Sequence, residues 1–385
     1  MNHHQKPVAD CLYKMCGDDY HYITTMPFPE TFIKVGYSNY DNTGYIIPYY
    51  EENNKELINK LVVDADVVIM GGAFVEELIN IRINTGKLLL FYSERWHKRL
   101  RSYLLVPFRY ISGYIYRRFM RFNKENVYML CSSAFVPNDC RWENSFKNKT
   151  YKWGYFPPFE EIDINRLLNE RRTNKAVKIL YVARCLKLKH PELAIKAVLF
   201  LKSKGYNVHL TMVGGVFDLD SYSKKVFDRC KQAEKAHPDT ISVLGAIENH
   251  KVRDLMYKSD IFYFTSDRNE GWGAVLNEAM SSGLACIVSD AIGSSHYLIK
   301  DGNNGLLFKS RSSASLIEKT KILLDNEDYM RSISLEAYKT IRDQWQPAKA
   351  AERLMTLCCN LIEGNETTYN EGPCSKAHPV KNKIL

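Results

Sequence analysis

Residues 265–290 read TSDRNEGWGAVLNEAMSSGLACIVSD, and the rest of the chain is best understood outward from them. An apolar, strand-like run ends near Thr265, a loop carries Glu270, and Gly271-Trp272-Gly273 opens a helix that closes at Ser282-Gly283. Glycine at a helix entry lets another group approach the backbone, and the free N–H groups there suit an anion. Glu278 sits about five residues into that helix, roughly 7.5 Å along its axis at 1.5 Å per residue. Its Cβ leans back toward the helix N-terminus. Glu270 and Glu278 are thereby spaced to hold opposite ends of a ligand whose phosphates sit at the helix mouth. The alternative is a capping glutamate plus a surface glutamate on an ordinary βα unit.

On either side of this stretch, apolar runs alternate with helical periodicity. Strands are predicted at 178–183, 207–213, 241–244, 261–265 and 284–289, with helices between them at 189–204, 220–236, 248–258 and 273–282. Strongly apolar strands alternating with helices imply a parallel sheet covered on both faces. Helices at 312–325, 327–343 and 348–362 follow, and a tail from Glu363, rich in Asn, Thr, Gly, Pro and Lys, is expected to be disordered. The first half reads similarly, with strands at 20–24, 62–70, 87–92 and 126–131 and helices at 3–16, 52–61 and 73–83. The expected fold class is α/β: a first Rossmann-like domain over 1–155, a linker over 156–176, a second domain over 177–345, a C-terminal helix over 346–362 and a tail over 363–385. Ligands of such sheets bind beyond the carboxyl ends of the strands.

The chain has 385 residues, 45% hydrophobic and 25% charged, enough for two cores without disulfides or metals. Its ten cysteines include no CxxC pair, so neither a zinc ribbon nor a thiol-redox motif is present. No signal peptide is visible, and no apolar stretch is long enough to span a bilayer. The expected location is the cytoplasm. Much of the formal charge of +9 lies in residues 98–124, KRLRSYLLVPFRYISGYIYRRFMRFNK, which carry eight Lys or Arg and no acid. Cations interleaved with Tyr, Phe, Leu and Ile suit an anionic membrane surface or a nucleic acid.

The spacing Glu-Gly-Trp-Gly-x5-Glu-Ala-Met-x2-Gly resembles the E-x7-E signature of retaining GT-B glycosyltransferases of the family 4 type (glycosyl transferases group 1). The resemblance extends through 177–310: YVARCLKLKHPELAIKA, VGG at 213–215, LGAIENHKVRDLMYKSDIF at 244–262 and DGNNGLLF at 301–308 fall in the family's order. It implies two Rossmann-like domains facing a cleft. It implies that Arg184 and Lys189 bind the donor diphosphate, a task suited to fixed positive charge. Glu270 would hydrogen-bond hydroxyls of the donor sugar and Glu278 the ribose. Gly271, Trp272, Gly273 and Ala274 would line the phosphates, and Ala246 and Ile247 the base. As catalytic groups, Arg184, Lys189 and Glu270 would act with no metal and no cofactor beyond the nucleotide-diphosphate sugar itself.

In the first half, FYSERWH at 91–97 resembles a cleft element of capsule- and lipopolysaccharide-type members, which makes Glu94, Arg95 and His97 acceptor-side candidates. A strand end with solvated charges is the alternative. His3 and His4 belong either to the first βα loop or to a solvated terminus. The chain opens in a helix-like segment where a Rossmann half normally opens with its central strand, so a missing first strand and a gapped first sheet are expected. Asp218-Leu219-Asp220 and Asp64-Ala65-Asp66 spell DxD, but helix capping and a strand interruption explain them. The expected function is sugar transfer to a glycan or lipid-linked acceptor for cell-surface polysaccharide, with residues 98–124 docking peripherally on the inner membrane face. An epimerase acting on sugar nucleotides is the enzymatic rival. A nucleic-acid-binding protein using the basic stripe is the rival of another class, and no recognised nucleic-acid module accompanies that stripe.

Overall fold

The computed structural model describes residues 1, 4–29, 39–40, 42–71, 75–98, 100–118, 120–124, 126–171, 176–216 and 221–380. The chain divides into two units: Met1–Pro158 with Gln344–Leu385, and Phe159–Asp343. Both are α/β with parallel sheets, two Rossmann-like domains in one chain.

In the first unit, β1 (Tyr22–Thr24) and β2 (Ile46–Pro48) form a parallel pair. β3 (Val67–Gly71), β4 (Leu88–Ser93), β5 (Val127–Cys131) and β6 (Thr150–Lys152) form a second parallel sheet in that order. No ladder joins the two sheets among the described residues. The centre of the larger sheet is apolar and buried, with Leu89, Leu90, Met129 and Leu130 almost wholly hidden. β3 at its edge is looser: Ile69 is 41% exposed. Helices Lys55–Asp64 and Glu76–Thr85 pack Ile58, Val62 and Leu78 against Ile23, Ile47 and Met70.

Here the sequence expectation needs correcting. The run 62–70 is not one strand, because Val62 lies in helix Lys55–Asp64 and the strand starts at Val67. The break is held by Arg82, whose wholly buried guanidinium donates to the carbonyls of Val62, Ala65, Asp66 and Leu88 at 3.0, 2.6, 2.7 and 2.8 Å. The Asp64-Ala65-Asp66 motif is thus a helix-to-strand corner. Asp218-Leu219-Asp220 lies outside the described residues.

The tail is also not disordered through residue 380. Lys152 N donates to Ser375 O at 2.8 Å, Cys374 N to Lys152 O at 2.8 Å and Ala377 N to Thr150 O at 2.9 Å, so the tail covers the open edge of β6. Cys374, Ser375 and Ala377 are buried there. Composition misled because Cys and Ala within a polar stretch are enough to seal a short strand edge. Helix Pro347–Ile362 packs on helix Lys6–Cys16, and residues 344–385 therefore belong to the first unit.

The second unit holds β7 (Val177–Val182), β8 (Val208–Val213), β9 (Ile241–Gly245), β10 (Ile261–Phe264), β11 (Ala285–Ser289) and β12 (Leu306–Phe308). All pair in parallel, in the order β12-β11-β10-β7-β8-β9. Strand order reverses between β7 and β10, which is the Rossmann arrangement and places its ligand crevice beyond the carboxyl ends of those two strands. Every residue of β10 and β11 is buried, as a sheet covered on both faces requires. The three-residue strands β2, β6 and β12 escaped the sequence analysis because so short a run has no readable period.

The expected linker is likewise structured in part. Helix Ile164–Arg171 lies inside it and buries Ile164 and Leu168 against Tyr338. Arg171 donates to the carbonyls of Met256, Tyr257, Ser282 and Gly283 at 3.0, 3.1, 2.9 and 2.5 Å. Its burial lowers the guanidinium pKa to about 10. An amphipathic spacing of Ile164, Leu167 and Leu168 was readable, but the flanking prolines and charges hid it.

Candidate active site at the carboxyl edge of the second sheet

Several loops meet beyond the carboxyl ends of the second sheet. The first follows β7. Ala183 N donates to Val213 O at 2.9 Å and Cys185 N to Gly215 O at 3.2 Å. Gly214 makes that approach possible: its φ is +134°, and a Cβ there would lie 1.8 Å from Ala183 O. Arg184 is exposed on this loop, with no ion-pair partner among the described residues. Lys189 lies at its far end, half-buried, and pairs with Glu270.

The second loop follows β10. Asp267 N donates to Leu188 O at 2.8 Å and Glu270 N to Asp267 O at 3.0 Å, so the backbone that carries Glu270 is tied to the backbone that carries Lys189. Thr265 Oγ1 donates to Lys189 O at 2.7 Å. Gly273, at φ +80°, lets the chain turn tightly over Phe264, whose Cζ would lie 2.3 Å from a Cβ at that position.

The helix that follows runs Val275–Ser281, shorter at both ends than the sequence suggested. The Trp272 side chain is wholly buried and its indole N–H donates to Asn277 Oδ1 at 2.9 Å. Its expected place beside the phosphates is thereby narrowed to its backbone, because the indole is buried under the loop. Glu278 is half-buried in this helix, and burial raises its carboxyl to about 7 against the opposing charge of Arg253. Ala246 and Ile247 follow β9, and Ala246 lies against Gly215, which a Cβ would bring to 3.2 Å from it.

Sequence reasoning missed the group beneath this edge. Asp267 is 3% exposed, and its Oδ1 accepts from the backbone and side-chain nitrogens of Asn269, both at 2.9 Å. Its Oδ2 accepts from His190 Nε2 at 3.2 Å and from Arg311. Burial would raise this carboxyl, but the bonds from His190 and Arg311 hold it well below its ordinary value. His190 also meets Glu192 at 2.7 Å, and its bonds to Asp267 and Glu192 raise the imidazole to about 9. Asp267 and His190 stand beside quoted motif residues, which was a usable signal. Arg311, on the turn after β12, had none.

The first-unit candidates separate. Glu94 is half-buried and accepts from Tyr155 Oη at 2.8 Å and Lys98 Nζ at 3.3 Å. Arg95 and His97 turn inward, which corrects their expected acceptor-side role. His97 Nε2 meets the buried Glu143 at 2.7 Å, and Arg95 donates to Tyr103 Oη at 3.2 Å. The buried Asp139 accepts from Trp96 N, His97 N and Tyr103 Oη at 2.6, 3.2 and 2.8 Å. Arg95 and His97 are thus engaged inside the domain, a role the local sequence could not reveal because Asp139 and Glu143 lie over forty residues away. His4 stacks on Tyr155 at 5.7 Å. His3 lies outside the described residues.

Among known families, the one described as "Glycosyl transferases group 1" matches residues 165–340. Over those residues the chain is similar to a glycosyl transferases group 1 domain. Over 204 residues the chain is 26% identical to an uncharacterized glycosyltransferase of Methanocaldococcus jannaschii, covering 53% of this chain and 50% of that protein. A second relative, named for teichuronic acid biosynthesis in Bacillus subtilis, is 29% identical over 112 residues, covering 29% of this chain and 28% of that protein. The chain thus spans half the length, or less, of the curated relatives it matches. The Anabaena protein HepE, solved with UDP and glucose, superposes at TM-score 0.61 with 12% identity, covering 91% of this chain and 94% of that one. That likeness spans both units and extends the GT-B fold beyond the group 1 domain.

Proposed function

We propose that this chain is a retaining glycosyltransferase of the family 4 type that moves a sugar from a nucleotide-diphosphate donor to a polysaccharide or glycolipid acceptor. The observation that carries this reading is the ion pair between Lys189, on the loop after β7 that also carries Arg184, and Glu270, on the loop after β10, where the strand order reverses. In the reaction the bond from the anomeric carbon to the diphosphate oxygen breaks, and negative charge grows on the leaving group. Arg184 and Lys189 stabilise that charge without a metal. The acceptor hydroxyl attacks from the same face as the departing phosphate, to which its proton passes. Glu270 orients donor hydroxyls and Glu278 the ribose; the backbone of Gly271, Gly273 and Ala274 meets the phosphates, and Ala246 and Ile247 border the base.

The UDP and glucose of HepE support a nucleotide-sugar donor, and the name of the Bacillus subtilis relative, teichuronic acid biosynthesis, supports a polysaccharide acceptor; the acceptor class we propose is a cell-surface polysaccharide of capsule or lipopolysaccharide type. Glu94 with Tyr155 is the acceptor-side group that remains. An epimerase would convert the donor with no acceptor present, so product analysis separates the two enzymes.

The test is a screen of UDP-, GDP- and other sugar donors for thermal stabilisation and slow hydrolysis. Arg184→Ala and Lys189→Ala are each expected to lose a charge-assisted contact of roughly 1.5–3 kcal/mol, about ten- to a hundredfold in donor affinity or turnover. Glu270→Gln should fold and turn over slowly. Unchanged donor affinity and turnover in all three would overturn the reading.

Residues 98–124 support a peripheral site on the inner membrane face. They fold into short helices Leu100–Leu104, Val106–Ile111 and Tyr114–Arg118. Val106 is buried with Ile115, while Leu104, Phe108 (68%), Ile111 (86%) and Tyr116 are exposed. Exposed apolar groups among cations fit an anionic bilayer rather than a nucleic acid. Among the described residues no helix is long and apolar enough to cross a membrane. Flotation with anionic but not neutral vesicles, weakened by salt and by neutralising Arg117, Arg118 and Arg121, is expected; indifference to lipid charge would refute docking.

A further inference from the structure

Among the described residues of the second unit, two that are not glycine have left-handed backbone: His190 at φ +49° and Arg311 at φ +62°. Such a conformation is disfavoured for an L-residue and persists where surrounding contacts over-determine it. The two residues sit on different loops, after β7 and after β12, yet their side chains end on the same buried oxygen, Asp267 Oδ2. Two strained turns converging on one carboxylate are unlike the isolated turn residues that αL backbone usually marks. Asp267 in turn binds Leu188 O through its own N–H and supports Glu270 N through its carbonyl. Thr265 Oγ1 closes the same join on Lys189 O and on His190 O, at 2.7 and 3.1 Å.

We propose that Asp267, gripped by His190 and Arg311, is a positioning residue that locks the loops after β7, β10 and β12 together and so presents Lys189 and Glu270 to the donor diphosphate and sugar. The inference rests on the donor reading above and adds the device that holds that site. Asp267 itself is too buried to touch a donor. A purely structural staple would affect stability and ligand affinity together; a positioning clamp affects affinity at constant stability. Glycine at 190 or 311 separates the two outcomes, because it relieves the backbone strain while deleting the grip.

The experiment uses the full chain with UDP and inorganic pyrophosphate as probes, read by calorimetry alongside thermal melting and amide exchange. His190→Gly and Arg311→Gly are expected to melt within a few degrees of the wild type, to bind both probes roughly five- to twentyfold more weakly, and to exchange faster over residues 184–190. Arg311→Lys, which keeps a cation, should recover most of the affinity. Asp267→Asn should show the largest loss of affinity. Unchanged affinity in both glycine variants, or losses that only follow the melting temperature, would overturn the clamp. If the wild type binds neither probe, the donor reading itself fails. Exchange over 184–190 in Arg311→Gly then still decides whether the loops are coupled: acceleration supports the clamp, and no change refutes it.

Discussion

The two units solve one packing problem with the same part and reach different ends. Each has an arginine that gathers four backbone carbonyls where helices meet strands: the buried Arg82 in the first, the half-buried Arg171 in the second. Their sheets then diverge. The second is one continuous six-stranded sheet whose carboxyl edge gathers loops around a single point. Among the described residues the first is split into two and four strands, and the side chains after β4 turn inward, Arg95 to Tyr103 and His97 to Glu143. A continuous sheet leaves its edge charges available for a ligand; in the first unit Arg95 and His97 are spent on the fold.

The comparison breaks most sharply at glycine. Gly214→Val should destabilise the second unit by roughly 3–5 kcal/mol, since its Cβ would overlap the Ala183 carbonyl at a φ that only glycine tolerates. Gly44→Ala in the first unit has nothing within 4 Å of its new methyl and should change stability by less than about 0.5 kcal/mol. Chemical denaturation followed separately by first- and second-unit probes measures both. Equal effects would erase the contrast.

Next come the arginines. Arg82→Met and Arg171→Met each leave four carbonyls without their donor and should each cost roughly 2–4 kcal/mol, in different units. A loss confined to one variant would show that the shared device matters in one unit only.

A smaller effect concerns pH. The Glu278 carboxyl rises from 4.5 to about 7 in the fold, so its contribution is fully present below pH 4.5 and lost as pH rises through about 7. His190 rises from 6.5 to about 9, so its contribution is present below pH 6.5 and lost as pH rises through about 9. The second unit should therefore soften between pH 5 and 9, with the depressed Asp267 counting only in acid. Glu278→Gln should raise its stability at pH 8 by roughly 1 kcal/mol, after discounting for partial exposure, while weakening nucleotide binding. Stability that is flat across this range in the wild type would count against both shifts. The smallest expected effect is Ile111→Ser, within about 0.5 kcal/mol in stability because the side chain is already exposed, yet measurable in vesicle flotation.

The second unit was legible because its signals are local. β10 is four buried apolar residues in a row, and the spacing from Arg184 to Lys189 and from Glu270 to Glu278 lies within single loop-helix segments. The first unit was less so. Its strand at 62–70 was really a helix end and a strand start, divided by contacts from Arg82 twenty residues on. The tail looked disordered because nothing in its own composition points to the open edge of β6.

By itself, then, the sequence determined the alternation of strand and helix and the buried parallel sheet of the second unit, since period and turn chemistry act over a few residues, while the candidate donor-side residues came from the motif's resemblance to a family. Only the tertiary structure decided that Trp272, Arg95 and His97 face inward, that residues 344–380 return to the first unit, and that Asp267 joins three loops. Each of those depends on which distant group fills a buried site or accepts a hydrogen bond, and burial makes such pairings obligatory without writing them into neighbouring residues.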